Sequence, residues 1–363
     1  MKKINAAVIG AGGMGKVHIE AALASEYVNK VFICDPSAEI RQSCKEKYNT
    51  DALELESILN DPSIKFVSVA TPNEFHADMT LRLLQAQKAV LCEKPMGINL
   101  SEAQQLLTAS QQPGVFLQIG FELHYSTMYT MVKKWIDDGV LGEITQTQCR
   151  YYCCEFHKKN TWRSNSTGSF LIGEKLSHYL DLQRWFIGDN FESVYSLSAP
   201  LTVPYFRHRD NHQIMVRYPG GKIGVLNFIM FIAETYHEDP LREIIEKQSD
   251  DGHFLQYYIC GLKGAAEIDV FRRRVRRWEF SDGEEALESR IAETFCFTPE
   301  QDLESNHNVF GQTQRVIELA AKGEAPEVSA ADAYETMKLC FAAEWSEDSG
   351  KIIYSSDQRF QQK

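Results

Sequence analysis

No uncharged stretch of the chain reaches the roughly 20 residues needed to span a bilayer, so a transmembrane helix is excluded from the sequence reading. The apolar run Ile4 to Ile9 stops at Gly10, short of the roughly 7 to 15 apolar residues of a secretory signal, and no leader is expected. Basic charge is outnumbered: 38 Lys and Arg face 50 Asp and Glu, for a net charge of -12. That balance opposes nonspecific attraction to nucleic acid or to anionic membranes, which rests on basic side chains. Paired cysteine motifs are missing too. Nine cysteines, an odd number, are scattered without a C-x-x-C, which fits neither a zinc site nor a disulfide framework and points to a reducing cytoplasm. The vicinal Cys153-Cys154 would project to opposite faces of a strand and is given no role. The ten histidines include no H-E-x-x-H, and the His208, Asp210 and His212 group lacks further ligands, so no metal is expected.

What remains is a composition close to the globular average, 44% hydrophobic and 24% charged, in a chain of 363 residues with no repeat and no low-complexity segment. Since domains tend toward roughly 100 to 200 residues, two are expected. The first third alternates short β-rich runs (Ala6 to Ile9, Val31 to Cys34, Phe66 to Ala70, Ala89 to Cys92, Val115 to Ile119) with amphipathic stretches, the signature of a parallel α/β sheet. Ser101 is the expected N-cap of the helix that follows the fourth run. After Gly120 the rhythm becomes α+β. A strand is expected over Ile144 to Cys154, a helix over Glu174 to Phe186, and a hairpin of Ile214 to Tyr218 and Lys222 to Phe231 around Pro219-Gly220-Gly221. Strands over Phe254 to Cys260 and Ala265 to Phe280 and helices near Val309 to Lys322 and Ala330 to Glu347 complete the pattern. The boundary is set at 121/122: a dinucleotide-binding domain over 1–121, then a substrate and oligomerisation domain over 122–363 whose closing helix is able to pack back on the first. Arg272-Arg273-Arg274-Val275-Arg276-Arg277 is the one basic patch. Its setting in an alternating apolar stretch favours a solvated strand or charge-protected sheet edge over a polyanion site.

Gly10-x-Gly12-x-x-Gly15, with Gly13 and Met14 inside it, follows a strand and opens a helix. The glycines permit a tight turn and close approach of backbone N–H groups to a pyrophosphate. Asp35 ends the second strand about 20 residues later, where a carboxylate accepts from adenosine ribose hydroxyls and repels an extra phosphate, so NAD is expected over NADP. Arg41, six residues on, is the nearest cation able to reach back. Ligands of such a sheet lie beyond the carboxyl ends of its strands, which gathers Thr71-Pro72-Asn73, Glu93-Lys94-Pro95 and Gly120-Phe121-Glu122 onto one rim. Lys94 is the lysine lying directly in these exits. In the second half, Glu174, His178 and Asp181 share one helical face by spacing, and a carboxylate one turn from a histidine suits proton transfer. A capped histidine in an ordinary domain helix fits that spacing equally well.

Together these motifs resemble the glucose-fructose oxidoreductase and inositol dehydrogenase (GFO/IDH/MocA) family over essentially the whole chain. The resemblance rests on Gly10 to Gly15 followed by Lys16-Val17-His18, Asp35-Pro36, Thr71-Pro72-Asn73 with His76, Glu93-Lys94-Pro95-Met96, Gly139 to Ile144, Trp162-Arg163, the Glu174 to Asp181 helix and Gly261-Leu262-Lys263-Gly264. It implies a Rossmann domain, then an α+β domain built on a large, mainly antiparallel open sheet used for homodimer or homotetramer contacts, with the active site between them. It also implies NAD contacts at Gly10, Gly12, Gly13, Met14, Gly15, Asp35, Thr71, Asn73, His76, Glu93 and Lys94. Lys94 would hydrogen-bond the reacting hydroxyl, His178, with the Glu174 carboxylate beside it, would act as general base in oxidation or general acid in reduction, and hydride would pass between a sugar or polyol carbon and nicotinamide. Two departures stand out: Glu174 replaces the family's usual Asp, and only Gly168 remains of a glycine-rich segment. His124 and Tyr125 stand where many relatives carry Arg or Tyr and, with Trp162 and Arg163, are the expected lining of the sugar site. Alternatives from the same fold are redox-assisted glycoside elimination or hydrolysis with recycled NAD, and a noncatalytic sugar or NAD sensor.

Overall fold

The computed structural model describes residues 3–154, 159, 169–234 and 251–361, with the backbone alone at Phe170 and Glu174. The chain forms two units, one ending at Glu122 and resuming over Asn308–Met337, the other covering Leu123–His307 and continuing from Lys338. No helix among the described residues is long and apolar enough to cross a membrane.

In the first unit, β1 (Ile4–Ile9), β2 (Val28–Cys34), β3 (Asp51–Ala52), β4 (Ile64–Val69), β5 (Ala89–Glu93) and β6 (Leu117–Gly120) form a parallel sheet in the order β3-β2-β1-β4-β5-β6. Helices α1 (Gly13–Ala24), α2 (Ala38–Tyr48), α3 (Leu55–Asn60), α4 (His76–Gln85) and α5 (Leu100–Ser110) connect them. The order reverses between β1 and β4, which opens a crevice at the carboxyl ends of those strands. The two-residue edge strand β3 is too short to leave an alternating pattern. The cap of α5 is Asn99 rather than Ser101: its Oδ1 accepts from Glu102 N at 3.0 Å, and Glu102 Oε2 returns to accept from Ile98 N at 2.9 Å. Both residues can cap, and the one whose carboxylate partner lies three positions on wins.

The core of this unit is completed by a late segment. Val316 and Ile317, on the helix Val309–Lys322, are fully buried among Val8, Ile19, Ile33, Phe66 and Leu91. Burying each side chain contributes roughly 1.5–3 kcal/mol. That places residues 308–337 with the first unit rather than with the second.

The second unit holds β7 (Ile144–Cys153), β8 (Ser193–Leu197), β9 (Asn211–Arg217), β10 (Ile223–Met230), β11 (Phe254–Gly261), β12 (Gly264–Asp269), β13 (Arg274–Asp282), β14 (Leu287–Cys296) and β15 (Ile353–Tyr354). They form one sheet in the order β14-β13-β12-β11-β7-β10-β9-β8-β15, antiparallel except for the β7–β10 pair. The helix Leu176–Ile187 is buried along nearly its whole length, and Tyr257 of β11 donates its hydroxyl to Tyr179 O at 2.9 Å. The expected single strand Ala265 to Phe280 is a hairpin, β12–β13, turned at 270–273 with Arg273 at φ 46°. No Gly or Pro marks that turn; the bidentate bond of Arg273 to Asp302, at 2.7 and 2.6 Å, holds it from outside the segment.

Arg274, Arg276 and Arg277 therefore lie on an internal strand, since β14 and not β13 is the edge, while Arg272 and Arg273 lie in the turn before it. Arg272 pairs with Asp269, Arg274 and Arg276 with Glu267, and Arg277 with Glu293. Cross-strand pairing consumes the charge that a polyanion would need.

A second buried polar group lies on the closing helix Ala330–Ser349. Glu347 pairs with His212 at 2.8 Å and accepts from Ser196 at 2.6 Å, while Glu344 accepts from the Ser169 hydroxyl. Burial raises the Glu344 carboxyl to about 8, with neighbouring Glu347 adding to the effect. The native state thus keeps a proton that the unfolded chain releases near its ordinary value of 4.5. Stability from this group is complete below that value and is lost as pH climbs toward about 8, with a slope of about 1.4 kcal/mol per pH unit. Urea unfolding at about pH 6 and about pH 8 is expected to show this loss, and Glu344→Gln is expected to flatten it. An unchanged slope in the variant would assign the pH dependence elsewhere.

Candidate functional site

The first unit builds its rim from the glycine loop outward. Gly10 has φ +83°, and a Cβ there would lie 2.6 Å from Ala70 O; a Cβ on Gly15 would lie 1.9 Å from Gly10 O. Both positions are closed to any side chain. Gly12 and Gly13, in contrast, face nothing within 4 Å, and α1 begins at Gly13 with no side-chain cap on its first N–H groups. An open cradle of uncapped donors at a helix N-terminus fits a pyrophosphate. Met14, 41% exposed, borders it.

Asp35 reinforces the loop, its Oδ2 accepting from Ala11 N and its Oδ1 from Ser37 N, each at 2.9 Å. Each oxygen has a further lone pair to offer, so the carboxylate can also accept from ribose hydroxyls. Arg41 does reach back, but its Nη1 donates to the backbone carbonyls of Asp35 and Pro36, at 2.6 and 3.0 Å.

Across the switch point, Thr71 Oγ1 and Asn73 Nδ2 are buried with no hydrogen-bond partner among the described residues. Orphaned buried polar atoms are costly, and these two sit where the sheet's ligand belongs. His76 braces the rim: Nδ1 lies 2.8 Å from Pro95 O and Nε2 2.9 Å from Thr71 O. Both nitrogens thus face protein carbonyls, and burial pushes the ring's pKa below its ordinary value. His76 ties the exit of β4 to that of β5. Glu93 ends β5, buried, and the partly exposed Lys94 follows it.

The second unit carries the histidines. His178, only 4% exposed, and Asp181, 2% exposed, lie on the helix Leu176–Ile187 one turn apart. Asp181 Oδ2 lies 2.6 Å from Nε2 of His124, whose ring stacks on Trp185 with centroids 4.2 Å apart. His124 and Tyr125 occupy the single 3-10 turn Glu122–Tyr125. His307 meets the His178 ring edge-on at 6.2 Å.

Glu174 does not continue this helix. The backbone forms a π turn over Phe170–Glu174, and Lys175 at φ -130°, ψ -46° separates it from the helix start at Leu176. The i to i+4 register expected between Glu174 and His178 is therefore broken. Trp162, Arg163 and Gly168 lie outside the described residues. Sequence reading also passed over the His124–Asp181 pair, because 57 positions separate its members. It left His18 and Thr313 unassigned as well, two buried residues that contact one another across 295 positions. Among the described residues, no group of three or more His, Cys, Asp or Glu side chains is arranged to hold a metal ion.

Residues 4–121 match the family model described as oxidoreductase family, NAD-binding Rossmann fold, and residues 129–267 match the GFO/IDH/MocA C-terminal domain. Inositol 2-dehydrogenase of Salmonella typhimurium is 29% identical over 196 residues, 53% of this chain and 56% of that enzyme. Levoglucosan dehydrogenase of Pseudarthrobacter phenanthrenivorans is 26% identical over 205 residues, 52% of each chain. The chain thus spans little more than half the length of these curated relatives. Among solved structures, an oxidoreductase domain protein from Kribbella flavida has a TM-score of 0.81 at 20% identity, covering 98% of this chain and 100% of that one. A levoglucosan dehydrogenase in complex with NADH and levoglucosan has a TM-score of 0.79 at 19% identity, covering 98% and 100%. At such identities the likeness shows the fold.

Proposed function

Because the chain belongs to the GFO/IDH/MocA oxidoreductase family, we propose that it is an NAD-dependent dehydrogenase acting on a secondary hydroxyl of a cyclic polyol or sugar. The observation that carries this reading is the rim of the first unit: an open glycine cradle, the Asp35 carboxylate beside it, and the orphaned Thr71 and Asn73 atoms across the switch point. The residues present fit NAD, which when bound supplies the hydride acceptor. The family and its inositol and levoglucosan dehydrogenase relatives support the substrate class.

In this mechanism the Lys94 ammonium holds the reacting hydroxyl and stabilises the oxygen as its proton leaves. His178 takes that proton in oxidation and returns it in reduction, the task for which a histidine is suited near neutral pH. Its burial keeps bulk water from competing for the hydroxyl. The His124 ring, fixed by Asp181 and Trp185, and Tyr125 line the polyol site. The exposed Tyr195, Leu197, Met215 and Ile223 on one face of β8–β10 support a homo-oligomer formed through this sheet. All nine cysteines are free, which supports a cytoplasmic location.

An absorbance screen at about 340 nm with NAD and a panel of inositols, aldoses and anhydrosugars tests the function. NADH formation with at least one cyclic polyol or sugar is expected, and silence across the panel would count against it. NAD is expected to show a KM at least about tenfold below that of NADP, since Asp35 meets the extra phosphate and Arg41 is turned to carbonyls. A preference for NADP would overturn the role given to Asp35.

A further inference from the structure

Beneath the rim a buried polar chain joins three elements through His18 and Thr313, side chains that the proposed chemistry leaves unused. His18 on α1 is fully buried; its Nε2 lies 3.1 Å from Glu93 Oε1 on β5, and its Nδ1 lies 2.9 Å from Thr313 Oγ1 on the helix Val309–Lys322. The Thr313 hydroxyl donates to Val309 O at 2.8 Å, as a helical threonine commonly does one turn back. Its single proton is then committed, so Oγ1 accepts from Nδ1–H of His18. That turns Nε2 toward the Glu93 carboxyl. Both ring nitrogens of His18 are thus engaged by buried polar partners, which offsets the cost of burying the ring.

Glu93 is held from a second side. A Cβ on Gly120, the last residue of β6, would lie 2.9 Å from Glu93 Oε1 and 3.0 Å from Oε2. The carboxyl thus fills the slot that a side chain at position 120 would need. A glutamate has three freely turning bonds, yet here its head is pinned between α1 and β6, and Lys94 is the next residue.

We propose that His18 and Thr313 are positioning residues for the nicotinamide half of NAD, acting through Glu93. By fixing the Glu93 carboxyl at the end of β5 they set both an acceptor for the nicotinamide ribose and the backbone from which Lys94 projects. The adenine half depends on different groups, the glycine cradle and Asp35. This inference rests on the placement of Glu93 and Lys94 at the nicotinamide end.

Two ligands separate the halves. ADP reaches only the cradle and Asp35, whereas NADH also reaches the Glu93 end. His18→Leu is expected to weaken NADH about tenfold in a fluorescence titration, the scale of one lost charge-assisted hydrogen bond, while ADP affinity measured by calorimetry stays within about twofold of wild type. Thr313→Val, nearly isosteric, is expected to show the same selective loss at about threefold. Gly120→Ala displaces the pinned carboxyl and is expected to weaken NADH selectively in the wild type but far less beside His18→Leu, because the tether it breaks is then already gone.

Equal losses for NADH and ADP would mean that His18 only supports the packing of α1, and the proposal would fall. It would fall equally if neither ligand were affected. Should His18→Leu fail to fold, the Thr313→Val and Gly120→Ala ratios decide: unchanged NADH to ADP ratios overturn the proposal. A wild-type protein that binds ADP but not NADH would instead overturn the placement of the nicotinamide end on which it rests.

Discussion

His178→Ala and Lys94→Ala are each expected to lower kcat by about two orders of magnitude or more while NADH still binds, the scale seen when a positioned acid or base is lost. The two residues enter the reaction differently. In the proposed mechanism His178 exchanges the proton, and its near-complete burial leaves little water to substitute for it. Lys94 is proposed to stabilise developing charge on the reacting oxygen, a contribution worth most where water is excluded. If the two act on one oxygen, as the proposed mechanism has it, the double variant is expected to lose far less than the product of the single losses. Stopped-flow turnover with the substrate found in the screen, beside NADH titration, checks all three proteins. Normal turnover by either single variant would remove that residue from the mechanism.

Gly15→Ala is expected to weaken NADH by about a hundredfold, the upper end of what overpacking costs. The reason is a single distance. The added Cβ would stand 1.9 Å from Gly10 O, inside any tolerable contact, and that oxygen belongs to backbone that cannot rotate away. Either α1 withdraws from β1 or the loop opens, and each response moves the helix N-terminus off the pyrophosphate. The second unit shares none of these contacts, so its far-ultraviolet signature should persist. Retained affinity at the wild-type level, read by NADH fluorescence, would show that the loop is not the phosphate cradle.

What the sequence displayed and what it concealed differ in kind. Gly10 to Gly15 and Asp35 were legible because backbone geometry demands particular residue types at fixed spacing on contiguous chain. The five β-rich runs of the first unit were legible because strands covered on both faces are almost uniformly apolar, and they match β1, β2, β4, β5 and β6 within a few residues. The turn between β12 and β13 was not. Val270 to Arg273 contains no turn-forming residue, and the Asp302 carboxylate that holds it arrives from elsewhere. A return of the closing helix to the first unit was anticipated, but that of the helix Val309–Lys322 was not, since an amphipathic helix announces an apolar face but not the core that receives it.

The site divides along the same line. Lys94 was found through its place after a strand, and His178 through spacing that also suited an ordinary helix. The family likeness, not the periodicity, gave His178 its role, and the break at Lys175 shows why periodicity over Glu174 to Asp181 was a weak guide. The pairs His124–Asp181 and His18–Thr313 are distant in sequence, and no local pattern tells which residue each member meets.

The proposed activity is tested most directly by following the hydrogen itself. With a substrate deuterated at the reacting carbon and NAD in excess, the account predicts that the cofactor recovered and examined by mass spectrometry is NADH carrying one deuterium, formed in step with the oxidised sugar or polyol. Conversion of the sugar with no labelled NADH accumulating, the deuterium returned to product or lost to water, would contradict a net dehydrogenase and favour redox-neutral turnover on the same fold.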